Sequence, residues 1–388
     1  MKKNYLLACI LAVSFFGQQA MADVKIGFTG ALSGPAAALG QDQYDGFMLA
    51  VEQNKGMLGG EAVEVIREDD QVKPEIGLQA ARKLVDQDKV DAIVGMGFTN
   101  VLMAMLPPII DSGVVAIATN SGPLTLSGAG CQPNVFSTAW QSDGPAEAMG
   151  VYAQENNFNN VYLMAPNYQA GKEMLAGFKR FYKGDVVDEV YTPLSQTDFS
   201  AEITMLQASS PEAVFVFYPG GLGINFVKQM RQAGMLEKIP VLSVFTVDGT
   251  TLPALKGLAD GVIAGAMWDA SLENDASKEF VKAYQEKYGR VPSLYSASGY
   301  DAANLLGAAI ESVDGKVSDK VKFAAAVKEA GSSFQSVRGP FKFNNNNMPI
   351  QNFYAFQAEK TDDGVMMKHI DTPLKNHKDA YHNECKLK

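Results

Sequence analysis

The chain reads as an α/β protein with two doubly wound parallel-sheet lobes, and three observations carry that expectation. Short apolar runs alternate with amphipathic stretches along most of the sequence, the pattern of strands covered by helices on both faces. The chain has 388 residues, beyond the roughly 250 to 300 residues at which a single core stops growing. Towards the end the alternation gives way to consecutive helical patterns with no strands between them, so these helices must return to a sheet made earlier.

In order along the chain, residues 1–22 read as an export leader. Lys2 and Lys3 supply a positive start, Leu6 to Phe16 an apolar run and Ala20-Met21-Ala22 a small-x-small cleavage site, so the mature chain is expected to begin at Asp23. Leu6-Leu7-Ala8-Cys9 resembles a lipoprotein box, but most of the apolar run follows Cys9, so lipidation is not expected. No second apolar stretch is long enough to span a membrane, and a soluble mature protein is expected.

Val24, Ile26 and Phe28 read as a buried strand. The small-residue segment Gly30 to Gly40, with Ser33 and Leu39 as candidate contacts, leads into an amphipathic helix near Gln41 and lets a ligand approach backbone N–H groups. Further strands are expected at Val63 to Ile66, Asp91 to Met96, Val114 to Ala118, Val161 to Ala165, Val186 to Tyr191, Ala213 to Tyr218, Val241 to Phe245 and Val262 to Trp268. Helices are expected at Pro74 to Asp86, Pro145 to Asn156, Gly171 to Tyr182, Phe199 to Ala208 and Gly223 to Gln232. The late helices are Ala276 to Tyr288, Ala297 to Ser312 and Lys320 to Ala330. Their return to an earlier sheet makes the chain cross between lobes more than once, which leaves a cleft. Ligands of open parallel sheets sit beyond the carboxyl ends of strands. The loops there are Phe98-Thr99-Asn100, Thr119-Asn120-Ser121-Gly122, Pro166-Asn167-Tyr168-Gln169-Ala170-Gly171, Tyr218-Pro219-Gly220-Gly221 and Phe245-Thr246-Val247-Asp248, rich in hydroxyls, amides and rings.

Formal charge is −10, or −12 once Lys2 and Lys3 leave with the leader, and an acidic chain without a basic run is a poor partner for nucleic acid. Cleavage also removes Cys9 and leaves Cys131 and Cys385, an even pair in an oxidising compartment. A disulfide is expected, two free thiols being the alternative. The histidines, His369, His377 and His382, all fall in a polar tail, so neither a histidine base in the cleft nor a Ser-His-Asp triad is expected. Their spacing matches no metal site, and no metal or cofactor is expected. Gly171-Lys172 and Gly221-Leu-Gly223 read as helix starts and Asp69-Asp70 as a helix cap or solvated turn. Asn344 to Asn347 reads as a turn or strand crossover.

Four segments carry a resemblance: Ile26-Gly-Phe-Thr-Gly-Ala-Leu-Ser-Gly-Pro35, Val94-Gly-Met-Gly-Phe-Thr-Asn100, Ala165-Pro-Asn-Tyr-Gln-Ala-Gly-Lys172, and Tyr295 ahead of Gly299-Tyr-Asp-Ala302. In that order, over essentially the whole mature chain, they resemble periplasmic solute-binding proteins of the branched-chain amino acid type, which serve ABC importers. The resemblance implies the type I periplasmic-binding fold, two α/β lobes joined by three hinge crossings that close over a ligand. The crossings are placed near Ser137 to Gln141, Trp268 to Ser271 and Phe343 to Pro349. The lobes are then residues 23–140 with 270–345, and 141–269 with 346–388.

It further implies that Thr99 and the segment Asn120-Ser121-Gly122 hold a ligand carboxylate. The acid that pairs with an amino acid's ammonium group in that family falls near Phe245 here, with Asp248 three residues on as a substitute. Phe98, Tyr168, Tyr218, Phe245 and Tyr295 remain as walls for a flat guest. A subgroup that takes up benzoate-like and hydroxycinnamate-like acids is similar also at Phe178-Lys-Arg-Phe-Tyr-Lys183 and Ser336-Val-Arg-Gly339. The expected function is capture of a small aromatic carboxylate, without turnover, for an ABC permease in the inner membrane by a monomer in the periplasm. The alternatives are a branched-chain or other aliphatic amino acid as ligand, or a ligand-sensing subunit of a membrane receptor.

Overall fold

The computed structural model describes residues 24–361 and 364–387, so the leader and its cleavage site lie outside the described residues. Two sheets form. The first takes β1 (Val24–Gly30), β2 (Met57–Leu58), β3 (Glu61–Asp69), β4 (Ala92–Gly95), β5 (Val115–Ala118) and β6 (Val135–Ser137) in the order β2-β3-β1-β4-β5-β6. All its pairings are parallel except β2 with β3. The second comprises β7 (Asn160–Pro166), β8 (Asp185–Thr192), β9 (Ala213–Phe217), β10 (Val241–Val244), β11 (Ile263–Ala266), β12 (Lys342–Phe343), β13 (Pro349–Thr361) and β14 (Gly364–His377). Its order is β12-β13-β11-β10-β9-β7-β8, with β14 pairing on β13.

The central parallel strands β4, β5, β9 and β10 are short and buried end to end, as sheets covered on both faces require, whereas β3 and β8 are longer and partly exposed. Val24, Ile26 and Phe28 enter the first core as expected, beside Phe47, Ile117, Leu306 and Ile310. The late helices do return. Helix Leu294–Ser312 packs on helix Ala37–Gln53 so closely that a Cβ at Gly46 would lie 1.9 Å from Ser296 O, and one at Gly299 2.0 Å from Gln43 O. Only a residue without a side chain permits that approach.

The chain leaves the first sheet after Ser137, leaves the second after Ala266 to build helices Asp275–Tyr288, Leu294–Ser312 and Lys320–Ala330, and rejoins it at Lys342. Arg338 ties these passages together. Its guanidinium donates to Asp301 Oδ2 from Nε at 3.1 Å and from Nη2 at 3.0 Å, to Ala139 O at 2.9 Å and to Gln351 Oε1 at 2.8 Å, and it also reaches Thr138 O.

Three sequence expectations need correction. Helix Thr99–Ser112, with Pro107-Pro108 inside it, is not among the helices named from the sequence. It forms because Val101, Leu102, Met105, Leu106 and Ile109 make one buried face. The solvated tail is instead strand β14 followed by a short strap. His377 Nε2 pairs with Glu147 Oε2 at 2.5 Å, tying β14 to helix Gly144–Glu155, and His369 Nε2 lies 2.8 Å from Asp371 O within β14. Asp70 is buried, its Oδ1 accepting Val72 N–H at 2.8 Å, whereas Asp69 is the turn residue and accepts Leu32 N–H and Gln71 N–H.

The Cys131–Cys385 disulfide is present and joins residues 254 apart in sequence. Beyond β14 the strap touches both lobes. Tyr381 donates to Asp143 Oδ2 at 2.6 Å, Asp379 Oδ2 accepts from Asn346 at 2.9 Å, and Cys385 bonds to the first-lobe loop that carries Cys131. No described helix is long and apolar enough to cross a membrane.

Candidate functional site

A narrow cavity lies between the lobes at the carboxyl ends of their strands, with about 370 Å³ free of protein atoms, part of it continuous with solvent. The first lobe contributes Leu39, Gly97, Phe98, Thr99, Asn120, Ser121 and Tyr295; the passage to the second lobe contributes Trp140 and Ser142; the second lobe contributes Tyr168, Ala170, Met174, Phe217, Pro219 and Phe245. None of these side chains is charged.

Each wall follows from local structure. Strand β4 ends in Gly95 at φ 110° and Met96 at φ 57°, a sharp turn that presents the backbone of Gly97 and starts helix Thr99–Ser112 at the cavity. That helix has no side-chain cap, and its first main-chain bond runs from Leu102 N–H to Phe98 O at 2.8 Å. The preceding N–H groups, with the Thr99 hydroxyl beside them, form a positive helix end at the cavity. Asn120 is fixed by donating to Gly97 O at 2.7 Å and Ser121 by donating to Met96 O at 3.2 Å. From the second lobe, helix Gln169–Phe181 likewise starts uncapped at Tyr168.

The aromatic wall is one connected stack. Phe245 follows β10 with φ 56°, an uncommon conformation for a bulky residue, and its ring stacks on Trp140 at 4.5 Å and meets Phe217 edge-on at 6.1 Å. Tyr168 stacks on Phe217 at 6.2 Å, and Tyr295 lies 6.4 Å from both Trp140 and Phe245.

The structure thus brings together Leu39, Phe98, Thr99, Asn120, Ser121, Tyr168, Ala170, Phe245 and Tyr295. The other five candidates lie elsewhere. Ser33 is exposed and hydrogen-bonds Asp69. Asn100 turns away and donates to Val72 O at 3.5 Å. Gly122 packs beneath the Trp140 carbonyl and accepts Ser142 N–H at 2.8 Å. Tyr218 is in the second core, its ring against Phe199 and Phe226 and its hydroxyl accepting from Thr192 at 3.3 Å. Asp248 stands behind the wall. Its Oδ1 accepts the Thr250 hydroxyl at 2.6 Å and Thr250 N–H at 2.8 Å, and its Oδ2 accepts the Tyr295 hydroxyl at 3.1 Å. Burial pushes the Asp248 carboxyl above the usual carboxylate range, and burial followed by Asp248 pushes the Tyr295 phenol far up, so the phenol stays protonated.

Sequence reading named no candidate contact at Gly97, Trp140, Ser142, Met174, Phe217 or Pro219, although Pro219 falls in one of the loops it marked. Strand parity could have found Phe217, since it and Tyr218 must face opposite ways. Trp140 falls within the expected crossing 137–141, which the sequence marks as lying between the lobes.

Two lobes, a cleft at their strand ends and an uncharged cavity between them define a binding protein, and residues 23–364 match the family model described as "Periplasmic binding protein". The chain belongs to that family. Among curated relatives, a Leu/Ile/Val-binding protein homolog from Brucella melitensis is 28% identical over 379 residues, covering 94% of this chain and 95% of that one. Among solved structures, the solute-binding protein of an ABC transporter from R. palustris in complex with benzoate superimposes with TM-score 0.88 at 28% identity, covering 94% of this chain and 99% of that one. Another, from Rhodopseudomonas palustris BisB5 in complex with 3,4-dihydroxybenzoic acid, gives TM-score 0.85 at 26% identity, covering 92% and 98%. This chain is a solute-binding protein of the ABC transporter class.

Proposed function

We propose that the protein captures a small aromatic carboxylate, benzoate-like, hydroxybenzoate-like or hydroxycinnamate-like, and delivers it to an inner-membrane permease. The observation that carries this reading is the pairing of an uncapped helix start at Thr99 with a continuous wall of Trp140, Phe217, Phe245, Tyr168 and Tyr295, in a cavity without a charged side chain. A carboxylate is held by N–H groups and hydroxyls without a buried cation, and flat rings match a flat guest. An amino acid would bring an ammonium group into that cavity with no acid on its wall, a costly burial.

Binding proceeds by hinge closure. The first lobe, residues 23–140 with 270–345, takes the carboxylate at Thr99, Asn120 and Ser121, and the second, residues 141–269 with 346–388, closes its rings over the other end. The ligand stabilises the closed state by its greater affinity for that state. The second reading, a branched-chain amino acid, draws on the names of the curated relatives. Isothermal titration calorimetry of the mature protein separates the two: the aromatic reading expects heat with benzoate or 4-hydroxybenzoate and none with leucine, and the reverse result would replace it.

A further inference from the structure

One acid bridges the cleft beside the cavity. Glu173 lies in helix Gln169–Phe181 of the second lobe, three residues beyond the cavity-lining Ala170. Its Oε1 accepts Gln169 Nε2–H at 2.8 Å and, across the cleft, the backbone N–H of Leu124 at 3.2 Å. Leu124 opens the short helix Leu124–Ser127, which follows β5 in the first lobe. The other oxygen, Oε2, is buried and has no partner among the described residues, and the whole residue is 7% exposed. An ionised carboxylate with one bare buried oxygen is costly, and a proton on that oxygen removes most of the cost.

Among the described residues no cation answers the charge, although Gln169 and Leu124 N–H donate to the carboxylate. The helix's own Arg180 is engaged with Asp143 and Glu147. Asp143, from the passage between lobes, adds a repulsive charge, and the remaining neighbours are Ser142 and the Tyr168 phenol. No Lys, Arg or His pairs with Glu173 among the described residues. Burial above all therefore pushes its carboxyl up to about 7.

We propose that Glu173 is a proton-coupled latch on lobe closure: the closed state takes up a proton at this carboxyl, so ligand is held more tightly as pH falls. The inference rests on the reading that the lobes close over a ligand. Opening parts Glu173 from Leu124 and admits water, which returns the carboxyl to the ordinary range. Between the two values the closed form carries a proton that the open form lacks, so acid favours closure. From pH 8 to pH 6 affinity should rise about tenfold, a span over which a ligand carboxylate stays ionised.

The test is calorimetry of the mature protein at pH 7 in two buffers of different ionisation enthalpy, with 4-hydroxybenzoate and separately with leucine. The latch expects uptake of about half a proton with whichever probe binds. It also expects Glu173→Gln to bind with neither proton uptake nor pH dependence. Binding of either probe without proton uptake overturns it, as does a Glu173→Gln variant that keeps the wild-type pH slope. The wild-type measurement stands if the variant does not fold. Leucine binding with proton uptake keeps the latch and overturns the ligand reading alone. If neither probe binds, X-ray scattering of the ligand-free protein decides: compaction at pH 6 relative to pH 8 supports the latch and an unchanged radius overturns it.

Discussion

Tyr295 donates its phenol hydrogen to Asp248 Oδ2 at 3.1 Å, and Thr250 occupies the other carboxylate oxygen. The acid that stood as the substitute ammonium partner is thereby satisfied from behind the wall, and the cavity is left with a phenol ring where an amino acid site needs a charge. Replacing Asp248 with Asn keeps the acceptor that Thr250 uses. Affinity for an aromatic acid should then change by no more than about 0.5 kcal/mol, as for substitutions outside the contact set. A larger loss, measured by calorimetry, would put Asp248 in contact with ligand.

Thr99→Val removes the hydroxyl at the helix start and leaves the N–H groups in place. A lost hydrogen bond to a charged group is worth about 1.5 to 3 kcal/mol, so affinity for benzoate should fall roughly tenfold or more. Unchanged affinity would take Thr99 out of the site.

The hinge depends on a buried ion pair. Asp301 is fully buried, and Arg338 holds it while binding Ala139 and Gln351 from two passages of chain. Arg338→Met leaves an uncompensated buried carboxylate and should cost about 3 to 5 kcal/mol in urea unfolding, with the double change Arg338→Met, Asp301→Asn recovering part of it. Equal loss in single and double variants would show that packing, rather than the charge pair, matters there.

The Cys131–Cys385 bond closes a long loop and pins the strap that touches both lobes. Replacing both cysteines with Ser should cost about 2 to 5 kcal/mol. The melting temperature of the wild type should fall on reduction and that of the variant should not.

Asp70 supplies a pH dependence with a defined sign. Burial, chiefly, raises its carboxyl from 3.8 to about 6 in the folded protein. An acid whose folded value is raised is protonated in the folded state while the unfolded chain has ionised, so stability falls as pH rises from about 4 through about 6. The loss should be on the order of 2 to 3 kcal/mol from this residue, and Asp70→Asn should remove it from the pH profile of urea midpoints.

Much of the fold could be read from the chain because its signals are local. Val24, Ile26 and Phe28 alternate as a strand must, and Phe280 and Tyr284 recur at helical spacing. What failed were elements whose cause is distant. Helix Thr99–Ser112 forms around Pro107-Pro108 because its apolar face is buried, and β14 forms because β13 offers it an edge, despite its polar composition. The site divides the same way. Thr99, Tyr168 and Phe245 sit where strands end, which sequence can mark. Tyr218 and Phe217 exchange places because one residue of strand parity decides which ring meets the cavity.

The most direct measurement is a thermal-shift screen of ligand-stripped mature protein against benzoate, 4-hydroxybenzoate, a hydroxycinnamate, leucine, isoleucine and valine, since a ligand that binds only the folded state must raise its melting temperature. Stabilisation by the aromatic acids and not by the amino acids is the predicted result. Stabilisation by leucine, isoleucine or valine alone would contradict the central claim.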